Sequence, residues 1–367
     1  MQAKKSESPF RLRLRRFRRL KRGYYSFLVL FGAYFMSFLL PFLMSHRAII
    51  VRYEGAIYAP AFTNYWFDTF DLGSETVYQA SAFGQTTDLR GRAVFGEANY
   101  RDLAVQFEQQ GSDNFVVMTP VPYGPYENFL DIKGSPPFSP SKDHWLGTDN
   151  SGRDLGVRLA YGYRISISFA LLVTSVAYVF GILTGAFLGF YGRWVDILGQ
   201  RIVEIWGAIP FLYTVIIIAA VYGPSFNQLA IILATFSWMG ITYYIRGEFY
   251  REKAKDYVAA AVATGESNFV IMVKHILPNA LTPVIAFAPF AIVATITALV
   301  SLDFLGFGLP APTPSWGEML SQAKQDLKVW HLSIFPLGAM FITLQLIVFI
   351  GEAVREAFDP KVYSRLR

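Results

Sequence analysis

Residues 165–192, ISISFALLVTSVAYVFGILTGAFLGFYG, contain no charged side chain. A helix needs about 20 largely apolar residues to cross the hydrocarbon core of a bilayer, so this run predicts a membrane-spanning helix. The composition of the whole chain agrees with that. Of 367 residues, 53 % are hydrophobic and only 16 % are charged, whereas an average soluble domain has roughly 25 % charged residues. The sequence therefore predicts an integral membrane protein.

Similar apolar runs lie on both sides of this one. Gly23–His46 carries no formal charge and predicts a first span. The run Ile205–Ile245 is too long for one span, and we expect Gly223–Asn227 to divide it, because Gly and Pro interrupt helices. The expected fold is an all-α polytopic membrane protein with six transmembrane helices, near 23–46, 165–192, 205–222, 228–245, 282–302 and 333–351.

The distribution of Lys and Arg predicts the orientation of these spans. Residues 1–22 form a basic tail with ten Lys/Arg and one Glu, which places the N-terminus in the cytoplasm. Residues 47–150 then form a sizeable external insert, in which short apolar pieces such as Asn114–Met118 predict strands. With six spans, the C-terminus also lies in the cytoplasm, together with its basic residues Arg355, Lys361, Arg365 and Arg367.

Several kinds of chemistry are not expected of this chain. It has no cysteine, so a disulfide framework, a Cys-ligated zinc site and a thiol nucleophile are excluded. It has no G-x-x-x-x-G-K-[ST] phosphate loop, so ATP hydrolysis by that route is excluded as well. The net charge of +6 comes from the N-terminal tail, so no nucleic-acid partner is indicated. The predicted spans carry no charge in their inner parts, which weighs against a proton-coupled carrier. We therefore expect a chain that is not an enzyme and that binds neither a metal nor a cofactor.

The stretch between the fourth and fifth predicted spans, 246–278, is the most informative of the loops. Its residues 256–278 read DYVAAAVATGESNFVIMVKHILP and predict a helix, a turn and a second helix. Alanine favours the first helix, Gly265 suits a left-handed C-terminal cap, and Ser267 can cap the second helix. That second helix is expected to end before Pro278. From the residues alone, an ordinary amphipathic surface loop remains the alternative to a docking element.

This loop resembles the EAA loop of permease subunits of binding-protein-dependent ABC importers. The family pattern is Glu-Ala-Ala, three residues, Gly, and then Leu-Pro. Ala259 replaces the acidic residue of that pattern. In the family the loop docks in a cleft of the ATPase subunit, and the resemblance implies that role here for Asp256, Tyr257, Ala260, Ala261, Gly265, His275, Leu277 and Pro278.

Two further motifs resemble the second, C-type permease of dipeptide, oligopeptide and nickel importers. His144–Asp154, HWLGTDNSGRD, resembles the segment before the second span, and Leu305–Leu320, LGFGLPAPTPSWGEML, resembles an external loop. Asp149 and Asp154 are expected to cap turns or to pair with nearby arginines, Arg153 and Arg158, and Trp316 is expected to anchor at the membrane interface. The resemblance assigns to the external face Gly147, Thr148, Asp149, Gly152, Arg153, Asp154, Pro314, Ser315, Trp316 and Gly317.

The resemblance implies a multi-pass permease of the bacterial inner membrane, with a permease core at 151–367. Its implied partners are a second homologous permease, two ATPase subunits that bind ATP and Mg²⁺, and an external solute-binding protein. The implied substrate is peptide-like. The long insert resembles the branch that imports larger peptides or microcin C-like peptide-nucleotides, while a dipeptide or a nickel chelate stays open.

Polar side chains on the apolar spans are candidates for the translocation pathway, although such hydroxyls also pack helices together. Two other functions remain as alternatives. One is a secondary carrier or channel that works without an ATPase, and the other is a membrane-anchored receptor whose insert binds a ligand. The candidate pathway residues are Ser166, Ser168, Thr235, Ser237, Thr295 and Thr297.

Overall fold

The computed structural model describes residues 9–63, 65, 78–111, 113–326 and 328–358, so Lys361, Arg365 and Arg367 lie outside the described residues. Most of the chain is helical, and a small antiparallel sheet is built from β1 (Ile50–Tyr53), β2 (Ala56–Tyr58) and β3 (Phe115–Val117). The helices are α1 (Pro9–Arg19), α2 (Lys21–Ser37), α3 (Leu40–Leu43), α4 (Pro60–Thr63), α5 (Tyr100–Gln110), α6 (Leu155–Tyr191), α7 (Arg193–Gly207), α8 (Phe211–Tyr222), α9 (Phe226–Lys253), α10 (Asp256–Ala263), α11 (Asn268–Val270), α12 (Leu277–Leu305), α13 (Trp316–Ala323) and α14 (Trp330–Phe358).

Four helical runs in the described part of the chain are long and apolar enough to cross a membrane. They are α6, α9, the continuous run Asn268–Leu305, and α14. The pair α7 and α8 passes the same test together and adds a fifth span if the bent pair crosses as one unit. The prediction of a polytopic helical membrane protein is therefore confirmed. All four runs extend beyond the predicted bounds; α6 begins at Leu155 instead of 165.

The first and third predicted spans are broken by proline. The helix expected over 23–46 ends at Ser37, and α3 begins after a short break with Pro41 in its first turn. The helix expected over 205–222 is divided at Pro210 into α7 and α8, which are bent by 64°. Proline lacks an N–H donor and disfavours the helical conformation of the residue before it, which explains both breaks. The predicted break at Gly223–Asn227 is confirmed, because α8 ends at Tyr222 and Ser225 caps α9.

The helix expected to end before Pro278 instead continues through it. A wide helical turn at Ile271–Ile276 leads directly into α12, which has proline at its start. A turn of this width leaves backbone groups without their usual partners, so the missing N–H of Pro278 costs little there. The prediction of a helix boundary at this proline is wrong.

The chain forms two compact units. The first comprises the described residues up to Gly32, Ser166–Ala311 and the described residues from Gly338 onward. In this unit α6 packs closely on α9. A Cβ atom at Gly185 would lie 2.5 Å from the carbonyl oxygen of Thr242, and one at Gly181 would lie 2.7 Å from that of Trp238. Small residues spaced four apart let two helix backbones approach each other in this way.

The second unit comprises Ala33–Ile165 and Pro312–Leu337. Its sheet has the order β2-β1-β3, and the strand predicted within Asn114–Met118 is present as β3. The sheet and α5 enclose an aromatic core that includes Phe83, Tyr100 and Phe107. The same compact unit also contains residues 151–165 and 312–337, which lie beyond the expected end of the insert at residue 150. The bounds of the insert stay a prediction.

Candidate functional site

The 256–278 hairpin has the turn that the sequence predicts. Gly265 has φ +80°, and the amide of Glu266 donates a hydrogen bond to the carbonyl oxygen of Ala261 at 3.2 Å. Ser267 then caps the next helix, because its hydroxyl accepts a hydrogen bond from the amide of Val270. The left-handed backbone conformation is readily adopted by glycine and is costly for residues with a branched Cβ. The direction of the hairpin thus depends on Gly265.

One face of the hairpin is anchored in a core and the other is exposed. Val258 and Ala261 are buried together with Ile245, Phe249 and Ile276. Apolar side chains on the outer face remain accessible. The exposed fraction is 59 % for Val262 and 72 % for Phe269. The hairpin therefore presents an exposed apolar surface that is supported from behind by the core.

Polar contacts brace both ends of the hairpin. The Tyr257 hydroxyl donates to Glu252 Oε2 at 2.8 Å, and Lys255 Nζ lies 2.7 Å from Glu252 Oε1. Burial and this carboxylate raise the pKa of Tyr257, so the phenol keeps its proton and remains a donor. At the turn, His275 Nε2 lies 2.7 Å from Glu266 Oε2.

The eight residues assigned to this element do not all face outward. Ala261 points into the core, whereas His275 and Leu277 are half-buried. The exposed members are Asp256, Tyr257, Ala260, Gly265 and Pro278. Sequence reasoning missed the contacts that Glu252 makes with Lys255 and Tyr257. The only sequence pattern that indicates them is the acidic and basic pair spaced three residues apart at 252 and 255.

The second motif forms a buried charge cluster. Asp149 and Arg158 have no exposed surface, and Asp149 Oδ2 accepts from Arg153 Nε at 2.7 Å. Glu318 joins both arginines, at 3.1 Å from Arg153 Nη2 and 2.5 Å from Arg158 Nη2. Arg158 Nη1 also donates to the carbonyl oxygens of Pro125 and Pro312, both at 3.0 Å. Pairing of Asp149 with arginine, as predicted from the sequence, is confirmed.

Neighbouring motif residues shape the backbone around this cluster. Gly147 and Gly152 have φ +81° and +77°, and a Cβ atom at Gly147 would lie 2.6 Å from the Phe138 carbonyl oxygen. Thr148 Oγ1 accepts from the amide of Phe138. Asp154 caps α6 through the amide of Val157 at 2.9 Å and contacts His144 Nδ1 at 2.7 Å. The capping role predicted for Asp154 is confirmed.

The third motif begins α13 and packs against the same cluster. Ser315 caps this helix by accepting from the amide of Glu318, and Pro314 and Gly317 are buried beside it. Trp316 is only 1 % exposed, and its indole donates to the carbonyl oxygen of Leu159 at 3.1 Å. The expectation that Trp316 anchors at the membrane interface is therefore wrong, because Gly162 leaves room for its ring in the interior. Glu318 was missed, although the S-x-x-E capping pattern from Ser315 to Glu318 signals it.

A cavity of about 480 Å³ lies within the first unit. It has no charged lining residue, and the buried Tyr178 hydroxyl has no hydrogen-bond partner among the described residues. Two candidate pathway residues, Ser237 and Thr295, line it, and Thr295 Oγ1 lies 3.4 Å from Thr174 Oγ1. The lining consists of Thr174, Ala177, Tyr178, Phe211, Leu233, Phe236, Ser237, Gly240, Ile241, Tyr244, Phe287, Phe290, Ala291, Ala294, Thr295 and Ala298.

The other candidate pathway residues do not line this cavity. The hydroxyls of Thr235 and Thr297 donate to backbone carbonyl oxygens of their own helices, at Ile232 and Val293. Ser166 is buried in α6, and Ser168 lies on the same helix. Sequence reasoning selected hydroxyls and overlooked the six aromatic residues of the wall, because apolar side chains on a span resemble ordinary packing residues.

Apolar membrane helices around an uncharged cavity, with a projecting helical hairpin, define a membrane permease. The chain belongs to the family of binding-protein-dependent transport system inner membrane components, whose pattern matches residues 181–363. It is thus a transmembrane permease subunit of an ATP-driven importer and not a secondary carrier or a channel.

Three relatives show how far this similarity extends. The inner membrane ABC transporter permease protein YejE of Escherichia coli K12 is 40 % identical over 351 residues, covering 94 % of this chain and 95 % of the relative. The peptidoglycan transport system permease protein YejE of Agrobacterium fabrum is 36 % identical, with 95 % and 92 % covered. The dipeptide transport system permease protein DppC of Alkalihalophilus pseudofirmus is 36 % identical, with 61 % and 74 % covered.

Proposed function

We propose that this chain forms half of a translocation pathway for peptides or peptide-like solutes and is driven through the 256–278 hairpin. The observation that carries the proposal is the exposed apolar face of the hairpin, whose opposite face is fixed to α9 and the start of α12. A rigid hairpin passes a push from a partner directly into those helices. A flexible loop would absorb the same push through its own bending.

The proposed assembly pairs this chain with a second homologous permease, two ATPase subunits and an external solute-binding protein. ATP and Mg²⁺ bind to the ATPase subunits in this scheme, and this chain holds no cofactor. The names of the relatives support a peptide or peptidoglycan-derived substrate. Among the candidate substrates, oligopeptides and microcin C-like peptide-nucleotides suit the long insert better than a nickel chelate does.

The proposed topology has six spans, with both termini in the cytoplasm and residues 47–150 outside. The first span is supplied by α2 with the residues that follow it, and the bent pair α7 and α8 supplies another. The basic tail before α2 supports this orientation, since Lys and Arg are enriched on the cytoplasmic side of a membrane. The hairpin then faces the cytoplasm, where ATPase subunits operate.

The cavity is proposed as part of the pathway wall. Its hydroxyl groups, from Thr174, Tyr178 and Ser237, can exchange hydrogen bonds with a passing peptide backbone, and its aromatic rings offer contact to apolar groups. The absence of charge from its lining suits a transient contact, because a charge held away from water carries a large desolvation cost.

Replacing Gly265 with valine tests the role of the hairpin. We expect ATP hydrolysis to continue while substrate uptake falls at least several-fold, because a β-branched residue resists φ +80°. The measurement is substrate-stimulated ATPase activity and uptake by the complex in proteoliposomes.

Gly265→Asn is the matched control. Asparagine tolerates the left-handed conformation, and a Cβ atom at this position meets no other atom within 4 Å. Uptake should therefore be largely retained in the Asn variant. Normal coupling in the Val variant, or an equal loss in both variants, would contradict a role for the turn conformation.

Purification of the tagged chain from its native membranes tests the assembly. Native mass spectrometry is expected to find one other permease and two ATPase-sized chains. Reproducible isolation of the chain alone in lipid nanodiscs, with nothing recovered by cross-linking in the membrane, would overturn the proposed composition.

A further inference from the structure

The short basic helix α1 presents an outward stripe of cations. Arg11, Arg15 and Arg18 follow one another at intervals of four and three residues, and all three are exposed. Residues spaced three or four apart lie on one face of a helix, so these guanidinium groups share one side.

The opposite side of α1 is held by the protein. Arg13 Nη1 donates to Thr282 Oγ1 at 3.2 Å, and its guanidinium lies 5.0 Å from the ring centre of Phe358. The ring of Phe17 meets the rings of Tyr24 and Phe27 edge-on. The stripe therefore faces away from the protein and has a fixed orientation.

The neighbouring helix indicates what the stripe faces. Only Leu20 separates α1 from α2, whose exposed side chains after Arg22 are large and apolar, including Tyr25, Val29 and Phe35. A helix rises 1.5 Å per residue, so Arg18 lies within about 10 Å of Tyr25 along the chain. Exposed arginines at the start of an apolar membrane helix stand at the level of lipid headgroups.

We propose that the outer face of α1 is a binding site for the headgroups of anionic phospholipids, and that Arg13 transmits its occupancy to the start of α12. Guanidinium groups form paired hydrogen bonds with phosphate oxygens. Thr282, the partner of Arg13, lies one turn after Pro278 on the helix that continues from the 256–278 hairpin. A lipid that holds α1 in place therefore also restrains the base of the hairpin. Lipid binding by α1 does not depend on the proposed function. An effect of the lipid on ATPase coupling does rest on it.

The test uses the tagged complex in nanodiscs of phosphatidylcholine alone or with one third phosphatidylglycerol. Native mass spectrometry should retain phosphatidylglycerol on this chain. Hydrogen exchange should slow in residues 9–20 and in 277–284 when the anionic lipid is present. Equal hydrogen exchange in both lipid compositions would overturn the proposal. If the slower exchange depended on the ATPase subunits and not on the anionic lipid, the stripe would be a binding surface for those subunits.

Two variants separate binding from transmission. The triple change Arg11→Gln, Arg15→Gln and Arg18→Gln should weaken phosphatidylglycerol binding roughly 100-fold, since each cation near a membrane surface contributes several-fold. The matched change of the same three residues to Lys keeps the charge and should retain most of the binding. In the Arg13→Gln variant, the anionic lipid should still slow hydrogen exchange in residues 9–20 but should no longer slow it in residues 277–284.

Membrane orientation is checked in each variant by protease access to the N-terminal tag, because the remaining cations, Arg16, Arg19, Lys21 and Arg22, are expected to preserve it. Unchanged lipid binding in the triple Gln variant would overturn the site. Unchanged protection of 277–284 in the Arg13 variant would overturn the transmission. Neither result depends on whether the hairpin docks an ATPase, so failure here is distinct from failure of the proposed function.

Discussion

Gly240→Trp is expected to reduce substrate uptake by more than 10-fold while the complex still assembles and hydrolyses ATP. Gly240 lines the cavity, and a Cβ atom at this position meets no other atom within 4 Å. An indole group can therefore enter the cavity without displacing a helix backbone. Replacement of glycine also favours the helical state of α9 by up to about 1 kcal/mol, so the variant should fold. Uptake in proteoliposomes and recovery of the assembled complex are the two measurements.

Two other variants control for this change. Gly247→Trp places the same side chain on the same helix, where a Cβ atom also has open space, outside the cavity. Gly240→Ala adds only a methyl group. Both should transport at close to the normal rate. Full uptake by Gly240→Trp would show that the substrate does not pass this cavity, and an equal loss in Gly247→Trp would assign the defect to α9 in general.

Arg158→Met is expected to destabilise the second unit by about 3–5 kcal/mol, the usual cost of removing one partner from a buried ion pair. The change leaves Asp149 and Glu318 with Arg153 as their remaining cation in the cluster. It also removes the donor to the carbonyl oxygens of Pro125 and Pro312. The apparent unfolding temperature of the purified chain should fall by on the order of 10 °C.

Lys142→Met is the control for this change, because it removes a cation from an exposed position of the second unit. Because exposed charges contribute at most about 1 kcal/mol, its unfolding temperature should change little. An unaltered unfolding temperature in Arg158→Met would contradict this expectation. It would mean that the free-energy cost of dehydrating the buried charges equals the free energy gained from their attraction.

Features that depend on a few neighbouring residues were predictable from the sequence. The apolar runs at 165–192 and 282–302 indicated spans because a bilayer demands apolar length. Helix α6 covers the first run up to Tyr191, and α12 contains the second. The turn at Gly265 followed from the conformational freedom of glycine. The pairing of Asp149 with arginine followed from the cost of leaving a carboxylate unpaired.

The roles of individual residues in the site were less accessible. Trp316 was predicted to lie at the membrane interface, yet the space left by Gly162 buries it. Glu318 was overlooked because its two arginine partners lie 160 and 165 positions away in the chain. Partners at such distances leave no periodic pattern to detect.

The sequence by itself determined the membrane class, the basic N-terminal end and the positions of the main apolar helices, because each of these depends on local composition. Only the tertiary structure decided the 64° bend at Pro210, the passage of the helix through Pro278 and the uncharged cavity. Proline permits a break, a kink or a continued helix, and the packing around it selects among them. A cavity exists only where several helices fail to fill the space between them, so it is a property of the assembled helices and of no single segment.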